Sequence, residues 1–239
     1  MERKESPKPE HIEKKNESAR LILDKKFVRI YDLEILPGKH YYSVTRRDEG
    51  DIFATMSDER AREALPDAVT TCVIIDNDGE EPLMMMNYEF RYPVGRFLLG
   101  GPAGLIDRSD VENAAGIVDR EEYVRKILFG AAAREISEES GINSYDEARF
   151  ILVSPLVYST PGMSDESNAL VCAVYKGVDV SSLNHNGAEG TEAFDGFSFV
   201  NKEEALAIIR SGRDSFGNFF SVYTYCTLMY FVSDMWKNE

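Results

Sequence analysis

Three acidic residues in the middle of the chain are spaced so that a helix would bring their carboxylates onto one face. Glu135, Glu138 and Glu139 occupy positions i, i+3 and i+4, which are neighbours on a helix surface. Like charges at this spacing repel one another, so the cluster favours a positive counterion, and Arg134 can supply only part of it. Magnesium takes oxygen ligands, commonly one or two carboxylates with water and substrate phosphates. The spacing alone therefore indicates either a magnesium-binding face or a solvated acidic face without a ligand.

Signals on both sides of the cluster predict that it lies at the end of one long helix. Asp119 and Glu122 have the spacing of a capping box, which marks a helix start. Gly141 is a typical helix stop. Between them apolar side chains recur with a helical period: Val124, Ile127, Leu128, Ala131, Ala132 and Ile136. We therefore expect one helix from Asp119 to Gly141, with the acids in its last turns.

The rest of the chain is rich in strand signals. β-Branched and aromatic runs predict strands at residues 27–35, 40–46, 68–75, 82–86, 88–94, 150–157, 169–175 and 196–200. Further helices are predicted at 57–64, 202–210 and 219–235, and a stiff turn-rich loop at 100–104. This order predicts an α/β (α+β) fold with a mixed sheet and helices on its faces. We expect residues 1–65 to form an N-terminal extension with a small β-layer, and residues 66–239 to form the main domain.

Composition restricts the classes of partner. The 239 residues are 43% hydrophobic, which suits one large domain or a main domain with a small addition. The net charge of −15 disfavours nucleic acid as a partner. The three cysteines have no zinc-site or disulfide-framework spacing. Residues 1–15 lack the apolar core of a signal peptide, and the apolar stretch 223–232 is too short to span a membrane. We expect no membrane partner and a cytoplasmic location.

Four segments in order resemble motifs of the Nudix hydrolase family. Residues 134–142, R-E-I-S-E-E-S-G-I, match every specified position in the second half of the Nudix box, R-E-U-x-E-E-x-G-U, where U is aliphatic. Residues 102–107, P-A-G-L-I-D, resemble a segment of the family's ADP-ribose pyrophosphatases. Residues 88–94 and 159–166 are similar to the Q-Y-R-x-P-V and S-P-G-x-S-x-E segments of that subfamily. The resemblance implies a Nudix fold and metal-dependent hydrolysis of the pyrophosphate bond of ADP-ribose or a related nucleoside diphosphate sugar.

The first half of the box departs from the pattern. Gly104 fits the opening glycine, and Asp110 falls where the first glutamate should follow. Between Asp110 and the arginine of the run lie 23 residues, where the pattern has seven. The stretch at about 111–124 therefore resembles an insertion. The first acidic position is either replaced by Asp110 or supplied by Glu121 or Glu122.

The resemblance also implies roles for individual residues. Glu135, Glu139 and the backbone carbonyl of Ala103 would hold Mg²⁺, with Mn²⁺ as the alternative metal. Glu138 would be a further ligand or a base, and Arg134 would orient the carboxylates by ion pairing.

Substrate contacts and a general base are expected outside the helix. Glu189 and Glu192, in a glycine-flanked loop, are the candidates for the base, with Glu166 an outside choice that can also contact substrate. Arg91 is a candidate clamp for phosphate, because guanidinium matches phosphate geometry. Gly104 is expected to hold the turn beside the bound substrate.

The resemblance leaves other functions open. We expect a homodimer if the N-terminal strands exchange between subunits, as they do in similar enzymes. The disrupted first half of the box is compatible with a non-catalytic nucleotide sensor or scaffold. A Nudix enzyme for another substrate, such as a dinucleoside polyphosphate or an oxidised nucleotide, is the remaining alternative.

Overall fold

The computed structural model describes residues 19–143, 148–188 and 190–238, which fall into two compact units. Of the described residues, 19–67 and 158–167 form the first unit. The described residues within 68–157 and 168–238 form the second unit. The division along the chain therefore falls between Asp67 and Ala68, and a ten-residue segment returns to the first unit.

The first unit is built on an antiparallel three-stranded sheet. Its elements are β1 (Ala19–Lys25), β2 (Val28–Leu36), β3 (Lys39–Thr45) and the short helix α1 (Asp58–Glu63). Tyr31, Leu33 and Ile52 form its buried cluster. The Ser57 hydroxyl caps α1 by accepting a hydrogen bond from the Arg60 amide. The predictions of β2, β3 and α1 are confirmed, whereas β1 was missed because its side chains are mostly exposed and lack apolar alternation.

The second unit contains a seven-stranded mixed sheet. Its strands are β4 (Ala68–Ile75), β5 (Leu83–Arg91), β6 (Arg96–Gly100), β7 (Ala103–Leu105), β8 (Ala148–Tyr158), β9 (Ser167–Tyr175) and β10 (Phe194–Val200). The order is β10-β5-β4-β9-β8, with β6 paired to β5 and β7 paired to β4. β4 and β9 are parallel and buried along their whole length, so they form the centre of the sheet.

Helices cover both faces of this sheet. They are α2 (Arg108–Glu112), α3 (Arg120–Ser140), α4 (Lys202–Ser211) and α5 (Val222–Val232). Alternate residues of a strand point to opposite faces: Val69 packs with Leu128 of α3, and Ile74 packs with Leu228 of α5. The predicted α+β fold, a mixed sheet between helices with a small N-terminal β-layer, is confirmed. No helix in the described part of the chain is long and apolar enough to span a membrane.

The long helix α3 begins and ends where the sequence signals place it. The Asp119 carboxylate accepts a hydrogen bond from the Glu122 amide, and Gly141 ends the helix with a left-handed φ of 75°. The loop prediction at 100–104 is wrong in its second half, because Ala103–Leu105 forms β7 against β4. β6 and α2 are five residues long and were also missed, since such short elements carry little periodicity.

Candidate active site

The buried acids of α3 lie against the short strand β7. Glu135 and Glu139 are only 5% and 2% exposed. The Glu139 carboxylate accepts hydrogen bonds from the Ala103 amide (3.1 Å) and from the Asn87 side chain (2.5 Å), so it ties α3 to β7 and β5. The Glu135 carboxylate lies over Gly104, where a Cβ atom would overlap both of its oxygens. Glycine is therefore required for α3 and β7 to approach this closely.

Arg134 connects the acids of α3 to the segment before the helix. One terminal nitrogen donates to Glu135 (2.7 Å) and Glu138 (3.1 Å). The other donates to the carbonyl of Leu105 (2.8 Å) and to the buried Asp110 carboxylate (3.1 Å). Burial alone would lower the pKa of Arg134, but its carboxylate partners outweigh it and the pKa is raised. The guanidinium therefore stays charged and fixes β7, α2 and α3 together.

Arg134 contacts one of the three candidates for the first acidic position, Asp110. Asp110 pairs with Arg134, and with Asp107 it completes the capping box of α2. Glu121 is exposed and pairs with Arg125. Since Glu121 precedes Glu135 by 14 residues of one helix, the two are about 21 Å apart at 1.5 Å per residue. Asp110 is therefore the acid that meets this arginine, and within the stretch 111–124 only residues 120–124 belong to α3.

Burial makes the two central carboxylates poor anions in the protein alone. Desolvation raises the pKa of Glu139 to about 8, although the Ala103 amide and the Asn87 side chain act in the opposite direction. Desolvation also raises the pKa of Glu135 to about 7. Arg134 lowers this pKa, whereas the negative charges of Glu138 and Glu192 raise it further. The ionised forms of these two carboxylates lose more by desolvation than their hydrogen bonds and ion pairs restore. A nearby cation would therefore stabilise them.

The donor set fits a hard divalent cation in its chemistry. All the candidate side-chain ligands are carboxylate oxygens, which Mg²⁺ and Mn²⁺ accept. Within residues 19–143, 148–188 and 190–238, no three His, Cys, Asp or Glu side chains already surround one point as a metal-ligand set. Instead, the Arg134 guanidinium forms ion pairs with Glu135 and Glu138. Magnesium needs few protein ligands when substrate phosphates complete its shell, so two buried carboxylates are compatible with such a site.

A further, partly buried acid, Glu89, lies near the end of β5 and pairs with an arginine. Glu89 forms an ion pair of 2.5 Å with Arg91. Desolvation raises the pKa of Glu89, Arg91 opposes the shift and Glu192 adds to it. Glu192 also contributes to the raised pKa of Glu135. Glu192 is therefore within electrostatic range of both acidic groups, and Arg91 already has a carboxylate partner.

The remaining candidates are placed differently. Glu189 lies outside the described residues. Glu166 belongs to the first unit, where it pairs with Arg46 at 2.7 Å. Sequence reasoning missed Asn87 and Glu89, although both adjoin or lie in the segment 88–94 that resembles a family motif. Glu89 could have been found from that motif, whereas a single Asn in a strand gives no signal.

The chain is similar to known proteins in sequence and in structure. Over 109 residues the chain is 28% identical to the Caenorhabditis elegans protein named "Putative nudix hydrolase 2", and this match covers 46% of the chain and 40% of that relative. A solved structure described as "Crystal structure of ADP compounds hydrolase" is similar over 92% of each chain, at 15% identity and a TM-score of 0.48. No family model matches the chain.

Proposed function

We propose that this protein is a Nudix hydrolase that cleaves the pyrophosphate bond of ADP-ribose or a related nucleoside diphosphate sugar, with Mg²⁺ as its metal. The observation that carries the proposal is the pair of buried carboxylates, Glu135 and Glu139, packed against β7 with a raised pKa in each. The match to a protein named as a nudix hydrolase supports it. The resemblance of residues 102–107 to ADP-ribose pyrophosphatases supports the substrate class.

The proposed ligands lie on two adjacent elements. Glu135 and Glu139 of α3 would hold the metal, joined by the carbonyl of Ala103, and Glu138 would be a further ligand. Ala103 and Glu139 are already connected by a hydrogen bond, so their relative position is fixed before any ligand binds. When bound, a divalent cation supplies positive charge against the diphosphate and Lewis acidity.

The chain's own side chains would complete the reaction. Water attacks one phosphorus, the bridging P–O bond breaks, and the products are a nucleoside monophosphate and a sugar phosphate. Glu192 would accept the water's proton, and its electrostatic influence on Glu135 supports that role. Arg91, 47% exposed, would exchange Glu89 for phosphate oxygens. Glu189, the homodimer and the cytoplasmic location stay predictions.

One observation favours a second candidate, a nucleotide-binding sensor without turnover. Arg134 holds Glu135 and Glu138 in ion pairs, and a ligand set that stays in this arrangement would bind nucleotide without supporting hydrolysis. The two functions differ in one measurement. A sensor would be stabilised by ADP-ribose, because a ligand that binds only the native state raises its stability, yet would release no product.

A substrate panel with product identification tests the proposal. The purified protein is incubated with ADP-ribose, other nucleoside diphosphate sugars, a dinucleoside polyphosphate and an oxidised nucleotide, each with Mg²⁺, with Mn²⁺ and with chelator. We expect metal-dependent formation of a nucleoside monophosphate and a sugar phosphate from at least one nucleotide sugar. A folded protein that hydrolyses none of them with either metal would contradict the proposal.

A further inference from the structure

The loop between residues 183 and 193, called here the 183–193 loop, caps the end of α3 that carries the acids. The Asn184 amide donates to the carbonyl of Ser140 at 3.1 Å. His185 Nδ1 lies 2.6 Å from the carbonyl of Glu139. At Gly187 a Cβ atom would overlap the backbone of Glu138. The last carbonyls of a helix have no partner within it, and here this loop provides two of those partners.

His185 is held on both faces of its ring. The imidazole stacks on Phe194 with ring centroids 4.6 Å apart and on Phe197 with centroids 4.0 Å apart, at interplanar angles of 7° and 20°. Because a carbonyl only accepts, Nδ1 must donate to Glu139. Nε2 is buried and has no hydrogen-bond partner among the described residues. The ring therefore joins β10 to α3 through one directed hydrogen bond.

The other end of the 183–193 loop is attached to β5. The Phe90 amide donates to the carbonyl of Ala193 at 2.8 Å, and the Tyr92 hydroxyl donates to the carbonyl of Thr191 at 3.2 Å. Glu192 lies between these two anchored residues, so its backbone is held at the end of β5. Both ends of the loop are therefore attached, residues 184 and 185 to the end of α3 and residues 191 and 193 to β5.

We propose that His185 is a positioning residue, whose Nδ1 hydrogen bond to the Glu139 carbonyl holds the loop that carries Glu192 against the end of α3. The inference rests on the proposed function, in which Glu192 accepts a proton and Glu135 holds a metal. His185 touches neither substrate nor the reacting atoms. It acts through the loop, and a shift of about 1 Å in a catalytic group can cost on the order of 100-fold in rate.

Two substitutions separate the hydrogen bond from the stacking. His185→Phe keeps an aromatic ring between Phe194 and Phe197 but has no donor. His185→Asn places an amide nitrogen at the position of Nδ1 and loses the ring. Asn186→Ala, at an exposed side chain of the same loop, is the matched control. We expect kcat to fall between about 10- and 100-fold in His185→Phe and to stay within about threefold in His185→Asn and Asn186→Ala.

Two measurements that do not depend on turnover accompany the kinetics. Hydrogen exchange of the amides at 190–193 should be faster in His185→Phe than in the wild type, His185→Asn and Asn186→Ala. Mn²⁺ affinity, titrated by electron paramagnetic resonance, should stay within about twofold in all of them, because the carboxylates of α3 are unchanged. An ordinary structural role would lower the affinity and kcat together.

The outcomes distinguish this inference from the proposed function. If the wild type hydrolyses no nucleotide sugar, the proposed function fails, and hydrogen exchange alone decides whether His185 holds the loop. Unchanged exchange at 190–193 in His185→Phe overturns the inference whatever the activity. So does a loss of kcat in His185→Asn equal to that in His185→Phe, or a parallel loss of Mn²⁺ affinity.

Discussion

Replacing Glu139 by Gln separates two effects of the carboxylate: the loss of folding stability that its burial causes, and its proposed binding of the metal. In the metal-free protein the pKa of Glu139 is about 8, against 4.5 for an exposed Glu. At pH 7.5 folding then carries a penalty of three pH units, about 4 kcal/mol at 1.36 kcal/mol per unit. Gln keeps the shape without the charge, although the Asn87 amide must reorient, at a cost of about 1 kcal/mol. We expect the variant to be about 3 kcal/mol more stable than the wild type in chelator.

The pH dependence of this difference has a defined sign. Well below pH 4.5 the carboxyl is protonated in both the folded and the unfolded chain, so the burial penalty vanishes and only the cost of about 1 kcal/mol for reorienting Asn87 separates the two proteins. Between pH 4.5 and about 8 the unfolded chain releases a proton that folded Glu139 keeps, and the wild type loses stability. The advantage of Gln therefore grows through this window and is constant above it.

Thermal and chemical unfolding in chelator at pH 5 and pH 8 measure the effect. A gain of 3 kcal/mol corresponds to a rise in Tm of about 6–12 °C for a chain of this size. Glu121→Gln is the matched control, because Glu121 is an exposed residue of the same helix, and it should change stability by less than about 0.5 kcal/mol. With Mg²⁺ the wild type should gain stability, and Glu139→Gln should not. A variant less stable than the wild type at both pH values would refute the burial argument.

Three further substitutions test separate contacts of the site. Gly104→Ala places a Cβ atom into the carboxylate of Glu135 and should abolish Mg²⁺-dependent stabilisation. Gly130→Ala, at a glycine of α3 with open space around it, should instead stabilise the protein by about 1 kcal/mol. Equal thermal shifts in the two variants would argue against the close approach of β7 to α3. Glu192→Gln should lower kcat at least about 100-fold with Mn²⁺ affinity retained, and a fall in affinity instead of kcat would make Glu192 a ligand. Arg134→Ala leaves buried carboxylates unpaired and should cost about 3–5 kcal/mol in urea unfolding, so a loss below 1 kcal/mol would mean that these ion pairs contribute little.

Local signals in the sequence were sufficient to predict the helix α3 and the acidic residues on it. A capping residue, a helical apolar period and a terminal glycine act within a few residues, and together they predicted the helix between Asp119 and Gly141 correctly. The confirmed mixed sheet follows from strand signals of the same local kind. The short strand β7 could not be predicted in this way, because Ala103 is held there by β4 and by Glu139, which are distant in sequence.

Other parts of the site depend on tertiary contacts. Asp110, Glu121 and Glu122 were all open alternatives in the sequence, and only the fold shows that Asp110 meets Arg134. Asn87 and His185 gave no signal, because a polar residue in a strand or loop acquires its role only when the chain brings it to α3. Their side chains contact Glu139, about 50 residues away in sequence in each case, a distance that no local periodicity spans.

The most direct test of the central claim is identification of the products formed from ADP-ribose and Mg²⁺ by the wild type, Glu139→Gln and Glu121→Gln. We predict AMP and ribose 5-phosphate from the wild type and from Glu121→Gln, none in chelator, and turnover at least about 100-fold lower in Glu139→Gln. Near-normal turnover by folded Glu139→Gln would contradict the assignment of this carboxylate as a metal ligand.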